Sequence, residues 1–78
     1  MTEDQIKVYE WFVDRYNAQS KPCSAWVCGI CLEEADGNDR YVWEKIALGL
    51  VRLKLLKEES GIHNKRMLYP AIVDEWRE

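Results

Sequence analysis

Asp39-Arg-Tyr-Val-Trp-Glu-Lys-Ile-Ala-Leu-Gly-Leu-Val-Arg-Leu53 reads as one helix. It continues through Lys54 into Leu55-Leu-Lys-Glu-Glu59, a polar connection Ser60-Gly-Ile-His-Asn-Lys65 and an extended run Arg66-Met-Leu-Tyr-Pro-Ala-Ile-Val73. Two short apolar runs joined through Gly, His, Asn and Lys predict a hairpin, because Gly and Asn tolerate the backbone angles of tight turns. Pro70 lacks a backbone N–H, which predicts an edge position for the second strand. Within the helix, Val42, Ile46, Gly49, Leu50 and Leu53 fall on one arc, the expected buried one. Arg40, Glu44, Ala47, Val51 and Lys54 fall opposite, with Tyr41, Lys45 and Leu48 at one flank. Trp43 is placed with the outward residues at the start of this helix. A helix feeding a two-stranded ribbon with a polar tip implies a binding module.

Upstream, Thr2 and Gln5 have the spacing of a capping box, a hydroxyl at the N-cap and an amide three residues on. Ile6, Tyr9, Phe12, Val13 and Tyr16 then recur at helical spacing, so residues 3–18 are expected to form an amphipathic helix, with Val8 and Trp11 off the stripe. Asn17 to Pro22 is polar and breaks the pattern. Ser24 is a good N-cap for a second helix to about Glu34, weakened by Gly29 at about 1 kcal/mol relative to Ala. Ala35 to Asp39 forms a turn in which Gly37 suits the residue after a helix and Asn38 or Asp39 caps the next. Asp74 to Glu78 is a tail with room for a last helical turn. The expected class is therefore α+β, mostly α: three helices and a C-terminal two-stranded ribbon, in a single domain spanning residues 1–78.

Seventy-eight residues, 47% of them apolar and with four Trp, four Tyr and one Phe, supply a core without a metal or disulfide staple. No apolar run approaches the ~20 residues of a membrane span, and the acidic opening Met1-Thr-Glu-Asp-Gln5 has no signal-peptide core, so a cytoplasmic protein is expected. The net charge of −3 is unevenly spread. Residues 1–39 carry −5, residues 40–66 carry +4 and residues 67–78 carry −2. The positive segment coincides with the third helix and the ribbon, an asymmetry compatible with phosphate binding on one face.

The order helix, turn, short helix, turn, longer helix, β-ribbon resembles winged helix-turn-helix domains of bacterial and phage regulators, and most nearly the DNA-binding domain of LexA-type repressors. The resemblance rests on Thr2-x-x-Gln5 opening the first helix, Pro22-Cys-Ser24 opening the second, and Leu50-Val-Arg-Leu53-Lys-Leu-Leu56 leading into the wing. It implies a winged-helix DNA-binding transcriptional regulator acting on double-stranded DNA, possible as a homodimer. The start of the third helix would enter the major groove and the wing would touch the backbone or minor groove. Arg40, Tyr41, Glu44 and Lys45 would face bases, and Lys54, His63, Lys65 and Arg66 would face phosphates, with Asn64 a further DNA-binding candidate at the tip of the wing, where it also suits a turn. Glu44 lowers affinity near phosphates unless it reads a cytosine amine. The second helix, Ala25 to Leu32, is more apolar than this family's pattern.

Other chemistries are weaker. Cys23, Cys28 and Cys31 have the C-x4-C-x2-C spacing of the first three ligands of plant-type iron–sulfur sites, but there is no fourth Cys and the lone His63 lies in the wing; on a helix these thiols act as small apolar groups. No cofactor is expected. A nucleophile–base pair would have to join a Cys to His63, and Glu33-Glu34, Glu58-Glu59 and Asp74-Glu75 are sequence neighbours suited to solvated faces, so an enzyme is not expected. Trp11, Trp26, Trp43 and Trp76 support an alternative from another class, a winged-helix protein–protein interaction module that binds its partner through an aromatic surface.

Overall fold

The computed structural model describes residues 1–60 and 66–76. Within them the elements run α1 (Glu3–Gln19), β1 (Cys23–Ser24), α2 (Ala25–Asp36), α3 (Arg40–Arg52), β2 (Leu56–Ser60), β3 (Arg66–Pro70) and α4 (Val73–Trp76). The chain is mostly helical, with one small antiparallel sheet in the order β1-β3-β2.

The helix ends follow local chemistry. Thr2 and Gln5 make both hydrogen bonds of the capping box, the Gln5 N–H donating to Thr2 Oγ1 at 3.2 Å and the Thr2 N–H to Gln5 Oε1 at 2.8 Å. The Ser24 hydroxyl accepts from the Val27 N–H at 3.2 Å and opens α2. Gly37, at φ 82°, closes α2 with its N–H donating to the Glu33 carbonyl. The Asp39 carboxylate accepts the Tyr41 N–H at 2.8 Å and opens α3. At the far end of α3 the chain turns through Lys54 at φ 64°, with the Lys54 N–H donating to the Val51 carbonyl and the Leu55 N–H to the Leu50 carbonyl. This is the Schellman arrangement, built here on a lysine where glycine is usual.

The sheet has three strands where two are expected from sequence. Cys23 and Ser24 pair with Leu68 and Met67. Pro22 favours an extended approach, and Ser24 at φ −74° and ψ 149° is already extended as the cap of α2, so the two residues meet β3 without further distortion. This pairing makes β3 the central strand, which corrects the edge position expected from Pro70. The proline is tolerated because β1 covers only Met67 and Leu68, whereas Pro70 faces Leu56 of β2 alone.

The core joins Val8 and Phe12 of α1, Ala25, Cys28 and Leu32 of α2, Trp43, Ala47 and Leu50 of α3, Leu56 of β2 and Leu68 of β3. Two helix faces differ from their sequence reading. In α1 the buried arc turns toward Val8, which is fully enclosed, and Ile6 is left 40% exposed. In α3 the arc is Trp43, Ala47 and Leu50, spaced four and three residues apart; Trp43 is fully buried, whereas Val42 and Leu53 face solvent. Apolar residues occupy both sides of α3, so periodicity alone does not choose between them; the large Trp43 ring fills the space between α3 and the rest of the core. Trp11 packs edge-on against Phe12, with ring centroids 5.0 Å apart, and the Arg15 guanidinium lies 4.8 Å over the Trp11 ring.

Candidate nucleic-acid interface

Because Trp43, Ala47 and Leu50 point inward, the opposite side of α3 is presented outward. Tyr41, Lys45 and Arg52 are exposed, Leu48 is half-buried, and these residues recur at four, three and four positions along one side of the helix. Gly49 stands on the same side, with nothing within 4 Å of the position its Cβ would take. Tyr41, Val42, Glu44, Lys45 and Leu48 together line a shallow groove of about 440 Å³. Its character is largely apolar, with one carboxylate and one ammonium at its wall.

The start of α3 is fixed from both sides. The Arg40 N–H donates to Glu33 Oε2 at 2.7 Å, so a carboxylate from α2 supplements the Asp39 cap. These two acids meet the positive end of the α3 dipole and make the leading turn less hospitable to a phosphate. The Arg40 guanidinium lies 5.2 Å over the Tyr41 ring and donates to the Tyr41 hydroxyl at 3.5 Å. That hydrogen bond and the electrostatic attraction of the same Tyr41 oxygen, with smaller contributions from the Glu33 and Asp39 charges, raise its pKa above the ordinary value.

Of the expected site residues, the structure brings Tyr41, Glu44 and Lys45 to one groove and sets Lys54 beyond the C-terminal end of the same helix. Arg66, at the first position of β3, donates from Nε to Glu58 Oε1 at 3.0 Å across the sheet, so its charge already has a partner. His63, Asn64 and Lys65 lie outside the described residues. The ion pairs among the described residues join Lys7 to Asp36, Lys57 to Asp74 and Arg66 to Glu58. None engages Lys45, Arg52 or Lys54. The hydrogen bond that the Lys57 ammonium donates to the Asp74 carboxylate, followed by the attraction of that charge, raises the Lys57 pKa.

Sequence reasoning missed Arg52, Val42 and Leu48. Arg52 follows Lys45 by seven residues, two helical turns, a legible signal masked by the surrounding leucines, whose spacing points to burial. The apolar arc of the sequence expects Val42 in the core, whereas the structure leaves it exposed.

The cysteines form a neighbourhood at the base of α2. Cys28 is buried, and the half-buried Cys31 accepts a long hydrogen bond from Arg15 Nη2 at 3.7 Å. Burial, followed by repulsion from the thiols of Cys23 and Cys31, pushes Cys28 up to about 12, so at neutral pH it packs as an apolar group. Burial also raises Cys23. Among the described residues no group of three or more His, Cys, Asp or Glu is arranged to hold a metal ion. No helix among them is long and apolar enough to cross a membrane. No family model matches the chain, and neither does any curated protein or any solved structure.

Proposed function

We propose that the chain is a winged-helix DNA-binding protein that acts as a transcriptional regulator and meets double-stranded DNA with the middle of α3. The winged-helix reading is supported by the element order and by the short β1 strand, which ties the start of α2 to the hairpin. The observation that carries the DNA reading is the set of uncommitted cations. Lys45 and Arg52 share one side of α3 and Lys54 follows at its end. None of the three has an ion-pair partner among the described residues, although carboxylates elsewhere are paired. Of these, Arg52 and Lys54 suit phosphate neutralisation, the sequence-independent term of duplex affinity, and Lys45 lines the groove that would face the bases. Relative to the expectation from sequence, the contact shifts from the leading turn, where Glu33 and Asp39 sit, toward Lys45 and Arg52. Arg40 and Arg66 become orienting and structural cations, and His63, Asn64 and Lys65 remain candidate phosphate contacts.

Titration of a fluorescent mixed-sequence duplex at low salt tests this. Binding that weakens with added salt, and weakens further in Lys45→Ala and Arg52→Ala, is expected. An unchanged anisotropy at low salt and micromolar protein sinks the reading.

A second reading, a protein-binding module, is favoured by Trp26 at 51% and Trp76 at 50% exposure, which stand on α2 and α4. Large aromatics half in water are the usual anchors of protein interfaces. Capture of a specific protein partner, or of a second copy of this chain, that is lost in Trp26→Ala or Trp76→Ala but kept in Lys45→Ala supports it.

A further inference from the structure

Resting on the DNA reading above, we propose that the α3 groove recognises 5-methylcytosine paired with guanine in the major groove of duplex DNA. The five lining residues match that edge group by group. Lys45 presents an ammonium with three donors and no acceptor, which suits the O6 and N7 acceptors of guanine. Glu44 presents a carboxylate, which accepts from the N4 amino group of cytosine. Tyr41, Val42 and Leu48 supply apolar wall, and Val42 stays 46% exposed although nothing polar justifies it there. An apolar wall beside a donor–acceptor pair needs an apolar group on the ligand, and in the major groove that group is a pyrimidine 5-methyl.

Thymine also carries this methyl but fails on the polar groups. Its O4 acceptor would oppose the Glu44 carboxylate, and its adenine partner offers Lys45 only N7, with the N6 amino group standing where guanine has its O6 acceptor. Unmodified cytosine satisfies Glu44 and Lys45 but leaves the Tyr41–Val42–Leu48 wall against water. The side of α3 holds no Asn or Gln among these residues with which to read adenine. The base pair that uses every lining group is therefore the methylated one.

The test is a selection by the full chain from a random duplex pool synthesised with 5-methylcytosine in place of cytosine. Enriched sequences are then remade with cytosine, 5-methylcytosine or thymine·adenine at the same positions and titrated by anisotropy. Removing the methyl should weaken binding about fourfold or more, the value of one buried methyl group. Val42→Ala and Leu48→Ala should bring the methylated-to-unmethylated ratio toward one, with circular dichroism melts reporting that the variants are folded. Glu44→Gln, whose amide donates to O4 as well as accepting from N4, should narrow the gap between 5-methylcytosine and thymine. Equal binding of methylated and unmethylated duplexes overturns the inference while the DNA reading stands. A methyl preference that persists in both Val42→Ala and Leu48→Ala also overturns it. Failure to bind any duplex overturns the inference and the DNA reading together.

Discussion

Gly29 of α2 faces the Arg40 carbonyl of α3 so closely that a Cβ on the glycine would lie 2.6 Å from that oxygen. The obstacle is backbone, which cannot swing aside as a side chain does. The residue that weakens α2 as an isolated helix is therefore the one that lets α2 and α3 approach.

Gly29→Ala and Gly49→Ala are accordingly expected to have opposite signs. Alanine gains about 1 kcal/mol of helix propensity at either site. At Gly29 the overlap costs about 1–3 kcal/mol, so the variant should be less stable by up to about 2 kcal/mol. At Gly49 the space is open and the gain stands. Thermal melts of the two variants decide this, each kcal/mol moving Tm by about 4–8 °C in a domain of this size.

Lys54→Gly should stabilise the protein. A non-glycine residue in the left-handed region costs about 1–2 kcal/mol, and Lys54 stands there at φ 64° to close α3. Glycine removes that strain but gives back about 0.4–1 kcal/mol of unfolded-state entropy. A net gain of about 0.5–1 kcal/mol is expected in urea unfolding; a loss would mean that the lysine side chain contributes more than its backbone costs.

If Arg52 and Lys54 meet phosphates, Arg52→Ala and Lys54→Gly should each lower the slope of log K against log salt by about 1. Arg66→Ala should change it less, because Glu58 already occupies that guanidinium. Anisotropy titrations at several salt concentrations measure all three.

Stability should fall at alkaline pH, in part through Cys28. Its thiol ionises near 9.0 when free and is pushed up to about 12 by burial. Below pH 9 both folded and unfolded chains hold the proton and the contribution is complete. As pH rises from 9 toward 12 only the folded chain keeps it, and stability drops by up to about 1.4 kcal/mol per pH unit. Cys23 and Lys57, also raised, act in the same direction. Cys28→Ala should be less stable near neutrality through lost packing, with a shallower decline above pH 9. Chemical denaturation in reducing buffer across this range checks both.

The sequence was most legible where structure is made by neighbours. Thr2 with Gln5, Ser24, Gly37 and Asp39 all cap as their positions imply, because a cap is satisfied within a few residues. It was least legible where distant elements choose. Both sides of α3 carry apolar residues, and only packing against α1 and α2 selects Trp43 over Val42. A two-residue strand such as β1 has no periodicity to detect, and without β1 nothing indicates that Pro70 ends a central strand. At the candidate site, Tyr41, Glu44 and Lys45 were visible as outward residues. Arg52 was hidden among leucines, and the pairing of Arg66 with Glu58 depends on strand register.

β2 bounds the sheet, and its sequence there is Leu56-Lys-Glu-Glu-Ser60. Lys57 is held by Asp74 and Glu58 by Arg66, so another copy that docked strand to strand on this rim would have to strip water from a row of charges or break those ties. The hairpin thus carries its own guard against fibril-like stacking, and concentrated solutions of the protein should resist amyloid-type growth along this border.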